Sequence, residues 1–161
     1  NLAVGFEDID GFSESEIYAV GLKGEIWFYD GSKWNKLDSP TNLNLSSIRC
    51  TPDGFAYAAG DFGIVIRGRA NRWEIVEQSV TKESFTSLEY AFGSVFLAVH
   101  GNGLFQLLNQ EFRKLIPELD KSITTYNLHY NDGILLSVGE EDIVTFDGEH
   151  WMRLQDPELE L

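Results

Sequence analysis

Few residues in this chain have the chemistry to act on a substrate, and their spacing keeps them apart. Cys50 is the one cysteine. It falls in a stretch that reads as an inner β-strand, where a cysteine serves more readily as a small buried apolar side chain than as a nucleophile. A lone cysteine forbids an internal disulfide, which fits a reducing, cytoplasmic setting. The three histidines are His100, His129 and His150. No two of them stand at the spacing of about two to five residues that paired metal ligands use. His100-Gly101-Asn102-Gly103 is glycine-rich but lacks the following Lys-Ser/Thr and the helix start of a phosphate loop. The sequence therefore assigns no catalytic, metal-binding or cofactor-binding residue, and no cofactor is expected.

What remains is the chemistry of contact. Glu140-Glu141-Asp142 places three carboxylates side by side, where they repel one another unless a cation neutralises them. Such a run reads as a hydrated loop, or as a contact for Lys or Arg on a partner, with complementary charge speeding association. Asp61-Phe62 occupies the corresponding turn of an earlier repeat. An acid beside an aromatic is a common interface anchor, the alternative being a Phe62 tucked under a neighbouring module. Asp61, Phe62, Glu140, Glu141 and Asp142 are thus the candidate partner-binding residues. Arg67, Arg69 and Arg72 form the only basic cluster, in a turn read mainly as solvated.

The elements that must carry these residues repeat. Ile17-Tyr18-Ala19-Val20 and Ile26-Trp27-Phe28-Tyr29 are β-forming runs separated by a loop bracketed by Gly21 and Gly24, which suits a tight hairpin turn. Asp30-Gly31 makes the next turn and Trp34 opens a further strand. Gly21, Gly24 and Trp34 return as Gly60, Gly63 and Trp73, each 39 residues on. A looser third copy has Gly103 and Phe112, with His100 in place of a turn glycine. The fourth has Gly139, Asp147-Gly148 and Trp151. Ile9, Ile48, Leu88 and Leu128 mark the preceding strand of each copy, 39, 40 and 40 residues apart. A period near 40 with four short strands per unit predicts an all-β propeller whose blades share their cores. The blades span approximately residues 6–39, 40–79, 80–118 and 119–155, within one propeller or half-propeller domain over 1–161. Leu2-Ala3-Val4-Gly5 reads as a stub of an earlier blade or a leading strand, and residues 155–161 as an acidic tail.

The net charge of −14 over 161 residues argues against nucleic acid, whose phosphates would be repelled, and fits a basic protein partner. No apolar run approaches the roughly 18–20 residues of a membrane-spanning helix. The charge sits at the two ends of the repeat. Residues 1–39 hold 8 acids and 3 bases, net −5, and residues 119–161 hold 10 and 2, net −8. The middle two stretches hold 4 and 4, and 4 and 3. In a closed ring of four the two acidic blades would be neighbours, which disfavours closure even with screening over about 8–10 Å. The expectation is an arc of a larger ring of about six to eight blades. The remaining blades would come from another segment or a second copy.

The pattern Ile17-Tyr-Ala-Val-Gly, Gly24-x-Ile26, Tyr29-Asp30-Gly31, Trp34 resembles bacterial propeller repeats of the sialidase or Asp-box type and the photosystem-assembly-factor type. Asp30-Gly31 before Trp34 and Asp147-Gly148 before Trp151 approximate Asp boxes but lack the usual residue between Asp and Gly. Asp boxes are structural turns, so this resemblance implies no activity. Sialidase chemistry needs an arginine triad, and of the arginines here only Arg49 falls on an inner strand. The chain is also similar to acidic propeller-repeat proteins of bacterial toxin-immunity systems, which implies a cognate toxin as partner. The expectation is a non-enzymatic, protein-binding propeller that neutralises a basic toxin or other basic partner. The alternatives are a carbohydrate-binding or glycan-active propeller, with Trp27 the tryptophan off the repeat pattern, and a scaffold subunit of a larger assembly.

Overall fold

The computed structural model describes residues 5–77, 81–100 and 103–154. The leading stub, the centre of the third glycine turn and the acidic tail lie outside these, apart from Gly5. Among the described residues, sixteen strands form four four-stranded antiparallel sheets, as the period predicted. Sheet 1 is β1 (Phe6–Ser13), β2 (Glu16–Gly21), β3 (Ile26–Tyr29) and β4 (Trp34–Leu37). Sheet 2 is β5 (Leu45–Cys50), β6 (Ala56–Gly60), β7 (Val65–Arg69) and β8 (Arg72–Glu77). Sheet 3 is β9 (Phe85–Ala91), β10 (Ser94–Val99), β11 (Leu104–Leu108) and β12 (Glu111–Leu115). Sheet 4 is β13 (Asn127–Asn131), β14 (Ile134–Val138), β15 (Ile143–Phe146) and β16 (Trp151–Arg153). Each is a simple meander in chain order. No helix among the described residues is long and apolar enough to cross a membrane.

Register decides what each sheet offers to its neighbours, because alternate residues point to opposite faces. In sheet 1, Asp8, Val20, Ile26 and Leu37 form one cross-strand row, and Asp10, Tyr18, Phe28 and Asn35 the next on the same face. The other face carries Ile9, Ala19, Trp27 and Lys36.

Two compact units emerge, Asn1–Leu88 and Glu89–Leu161. In the first, Tyr18, Val20 and Ile26 of sheet 1 pack against Leu45, Ile48, Ala56, Ala58 and Ile66 of sheet 2 and Ile64 just before β7. In the second, Ala91, Phe96, Ala98 and Leu104 of sheet 3 pack against Leu128, Leu135 and Val144 of sheet 4. Neither sheet could bury such a face alone.

Candidate functional site

The junction between sheets 1 and 2 absorbs most of the polar side chains in its vicinity. Asp8 Oδ2 accepts the Ile48 N–H at 2.9 Å, the Ser47 hydroxyl at 3.0 Å and Arg49 Nη1 at 2.9 Å. Asp10 Oδ2 accepts the Cys50 N–H at 2.8 Å. Ser47 Oγ in turn accepts the Leu88 N–H at 3.1 Å. Further out, Arg69 grips Glu16 through Nε and Nη2, both at 2.8 Å, and lies over the Phe12 ring. The Tyr18 hydroxyl donates to Glu16 and accepts the Ala70 N–H. Arg67 pairs with Glu74 and stands over Phe55. Two arginines of the basic turn are therefore committed within the molecule.

These partners set the titration of the cluster. The Arg69 hydrogen bonds hold Glu16 below the usual carboxylate range, against the opposing effect of burial. Burial pushes the Tyr18 phenol up to about 12, and the neighbouring Glu16 carboxylate adds to the rise. Burial also pushes the Cys50 thiol up to about 12, reinforced by Asp10 and Glu16, so Cys50 stays protonated and unreactive at neutral pH.

The glycine turns present the candidate residues. At Gly60 the backbone is extended, but a Cβ there would lie 1.9 Å from the Asn44 carbonyl oxygen, which accepts the Asp61 N–H at 3.0 Å. Gly60 is required by this close approach rather than by a turn conformation. Gly63 has φ +71 and supplies the left-handed residue that closes the turn. Between them Asp61 is engaged: its carboxylate accepts Asn44 Nδ2 at 2.8 Å and the Ser84 hydroxyl at 2.9 Å. Asn44 also accepts the Lys23 N–H, linking the equivalent turns of sheets 1 and 2. Phe62 has φ 55 and is 62% exposed. The left-handed conformation costs a non-glycine residue on the order of 1 kcal/mol.

The three adjacent acids separate in the same way. Asp142 is only 8% exposed and accepts the Thr124 N–H at 2.8 Å and its hydroxyl at 3.1 Å. It also pairs with Arg153 Nη1. Arg153 Nη2 donates to the carbonyl of Lys121 at 3.0 Å. Glu140 and Glu141 are exposed. The structure thus places Asp61 and Asp142 in bonds that hold their turns, and leaves Phe62, Glu140 and Glu141 facing solvent.

The histidines stay separate in role. His100 Nε2 lies 3.1 Å from the Tyr126 hydroxyl, His150 Nδ1 lies 3.7 Å from Asp147 Oδ2, and His129 is exposed on β13. No group of three or more His, Cys, Asp or Glu suited to a metal occurs among the described residues. The Asp-Gly turns are held by their carboxylates: Asp30 Oδ1 accepts the N–H groups of Ser32 and Lys33, and Asp147 Oδ1 those of Glu149 and His150. The Ser32 hydroxyl and these N–H groups hold Asp30 far below the usual carboxylate range. A groove of about 720 Å³ lies on the outer face of sheet 1, lined by Phe6, Ile9, Ala19, Trp27 and Trp34 among others. Trp27 is anchored there by its indole N–H to Glu25 at 3.0 Å and by an edge contact with Phe6.

Sequence reasoning missed Asp8, Asp10 and Arg153, although Asp8 and Ser47 hold the same place in successive repeats. No family model matches this sequence. The chain is 39% identical over 151 residues to "Immune protein Tsi7" of Pseudomonas aeruginosa strain PAO1, covering 94% of this chain and 49% of that protein. It therefore spans about half the length of this curated relative. Among solved structures it is similar to YCF48 bound to D1 peptide, with TM-score 0.68 and 15% identity over 94% of this chain and 53% of that one. It is similar too to the computationally designed Ika4 protein, with TM-score 0.68 and 12% identity over 91% and 92% of the two chains. The chain is a four-module, all-β, propeller-like protein with sequence similarity to a bacterial immune protein.

Proposed function

We propose that this chain acts as part of an immunity protein, a non-enzymatic module that binds and neutralises a basic toxin. The observation that carries the reading is the 39% identity to the immune protein over nearly the whole chain. The net charge of −14 supports a basic partner, since opposite charge accelerates encounter and discriminates against acidic competitors. Phe62 is the proposed anchor: it is exposed, held on a turn fixed by Asp61, and kept in a left-handed conformation that glycine would adopt at less cost. Glu140 and Glu141 are proposed to meet Lys or Arg of the partner, while Asp61 and Asp142 position the two turns.

The test is protection by co-expression in the source bacterium's toxin system, with binding measured on the purified pair. Phe62→Ala is expected to weaken binding by roughly 2 kcal/mol, an anchor-sized loss. Glu140→Gln with Glu141→Gln is expected to slow association mainly at low salt. Full protection by the triple variant, with unchanged affinity, removes these turns from the interface. Failure of the unmodified chain to protect against any toxin of that system sinks the immunity reading itself.

A further inference from the structure

Each interior junction in the first unit follows one rule. On the face toward the following sheet, the inner strand presents an acceptor side chain that takes a backbone N–H of the next inner strand. Asp8 takes the N–H of Ile48, Asp10 that of Cys50, and Ser47 that of Leu88. The apolar rows flank these bonds: Val20 and Tyr18 from one side, Ile48, Ala58 and Ile66 from the other. The rule has a direction, so a run of sheets has two different ends.

Both end faces are apolar and open. On sheet 1 the face that would receive a preceding sheet carries Ile9 and Phe6, each 56% exposed, beside Trp27 and Trp34 in the groove. The corresponding face of sheet 2 is buried: Ile48, Ala58 and Ile66 are all at 0%. On sheet 1 the N–H groups of Ile9 and Gly11 turn to their neighbours' side chains, Asp8 Oδ1 and Asp10 Oδ1, instead of to another strand. On sheet 4 the face that would meet a following sheet carries Leu136, Val138, Ile143 and Met152, all exposed, with Met152 at 58%. Its inner strand puts Asn127 and His129, each bearing an acceptor atom, where sheet 1 has Asp8 and Asp10.

We propose that a second copy of this chain covers these faces head to tail, sheet 4 of each copy packing on sheet 1 of the other. Asn127 and His129 of one copy would accept the N–H groups of Ile9 and Gly11 of its partner, while the Leu136 and Met152 row fills the Trp27 groove. The occupant follows from complementarity: the acceptors on one end face and the backbone N–H groups on the other stand at the positions that meet in the Asp8–Ile48 and Asp10–Cys50 bonds. The relative's length agrees, since this chain matches about half of it, leaving room for a second set of four modules. Charge does not forbid the contact at the faces themselves, because the exposed sheet 4 residues named here include no carboxylate. The charge of −14 per copy still opposes association at long range, so salt is expected to strengthen the pair. This inference is independent of the immunity reading.

Sedimentation equilibrium of the 161-residue chain is expected to give a dimer, twice 18.2 kDa, tighter at 0.5 M than at 0.05 M salt. Ile9→Asp or Met152→Asp, each at an exposed site, is expected to weaken it by on the order of 100-fold, through an unpaired charge in an apolar contact. Ile116→Asp, exposed and on neither face, is the control and should leave it unchanged. Mixing the Ile9→Asp and Met152→Asp proteins restores one unaltered junction, so the mixture should associate more tightly than either variant alone. A monomer at all concentrations and both salts overturns the proposal, whether the faces then bind a glycan or nothing. A dimer indifferent to both face variants, or a mixture no tighter than its components, overturns it equally.

Discussion

Replacing Asp142 by Ala tests whether two adjacent, chemically similar acids have opposite roles. Asp142 Oδ2 holds the Thr124 N–H and hydroxyl, and the same carboxylate pairs with Arg153, whose side chain is 21% exposed. Removing one partner of a buried ion pair costs about 3–5 kcal/mol, chiefly because the other charge is left uncompensated. Arg153 keeps the Asp120 carboxylate at 3.5 Å, the Lys121 carbonyl and some solvent, which points to the lower end, about 3 kcal/mol. For a chain of this size that is a fall in Tm of about 6–12 °C. Replacing Glu140 and Glu141 together by Ala should change stability by no more than about 0.5 kcal/mol, since neither is buried. The assay is urea and thermal unfolding followed by circular dichroism, extended to Arg153→Met and the double variant with Asp142→Ala. The double variant should cost less than the sum, with a coupling of about 1–3 kcal/mol. If Asp142→Ala costs under 1 kcal/mol, or the pair shows no coupling, the assignment of Asp142 as a structural acid is wrong.

Two further outcomes concern Tyr18 and the turn glycines. The Tyr18 phenol is raised to about 12 when folded, above its unfolded value of about 10. The fold thus favours the protonated form, and that stabilisation is complete below about pH 10 and lost as pH rises from 10 to 12. The urea midpoint should fall over that window more steeply in the natural chain than in Tyr18→Phe; identical slopes would refute the role given to burial. Gly60→Ala should be far more damaging than Gly93→Ala. The first puts a Cβ 1.9 Å from a backbone oxygen, whereas the second meets nothing within 4 Å and carries only the cost of φ +75, about 1 kcal/mol. Equal losses in urea melts would show that the Asn44 segment yields to the new methyl group.

Similar turns hide different physics, and this limits what the sequence reveals about the site. Gly60 and Gly63 look alike as turn glycines, yet Gly60 answers only to a passing carbonyl, whereas Gly63 answers both to its own φ and to the Thr81 backbone that a Cβ would meet. Glu140, Glu141 and Asp142 are indistinguishable by composition, but Thr124 and Arg153 select one of them for burial. Asp61 and Phe62 were legible as a pair, while the Asn44 and Ser84 bonds that fix Asp61 were not.

The repeat by itself determined the architecture. Glycines and aromatics spaced 39 residues apart, with β-forming runs between them, leave little but stacked four-stranded meanders. Strand identity and the inward alternation follow from local residue type, so they are written along the chain. The tertiary structure alone decided which acids are ligands and which are surface. It also showed that sheets 1 and 4 each carry an exposed apolar face. The reason is distance in sequence: the groups that satisfy Asp8 and Asp10 come from residues about 40 positions away, and those for Asp142 from Thr124 and Arg153. Local pattern says that a carboxylate is present, but only folding brings up the N–H or guanidinium that makes its burial favourable.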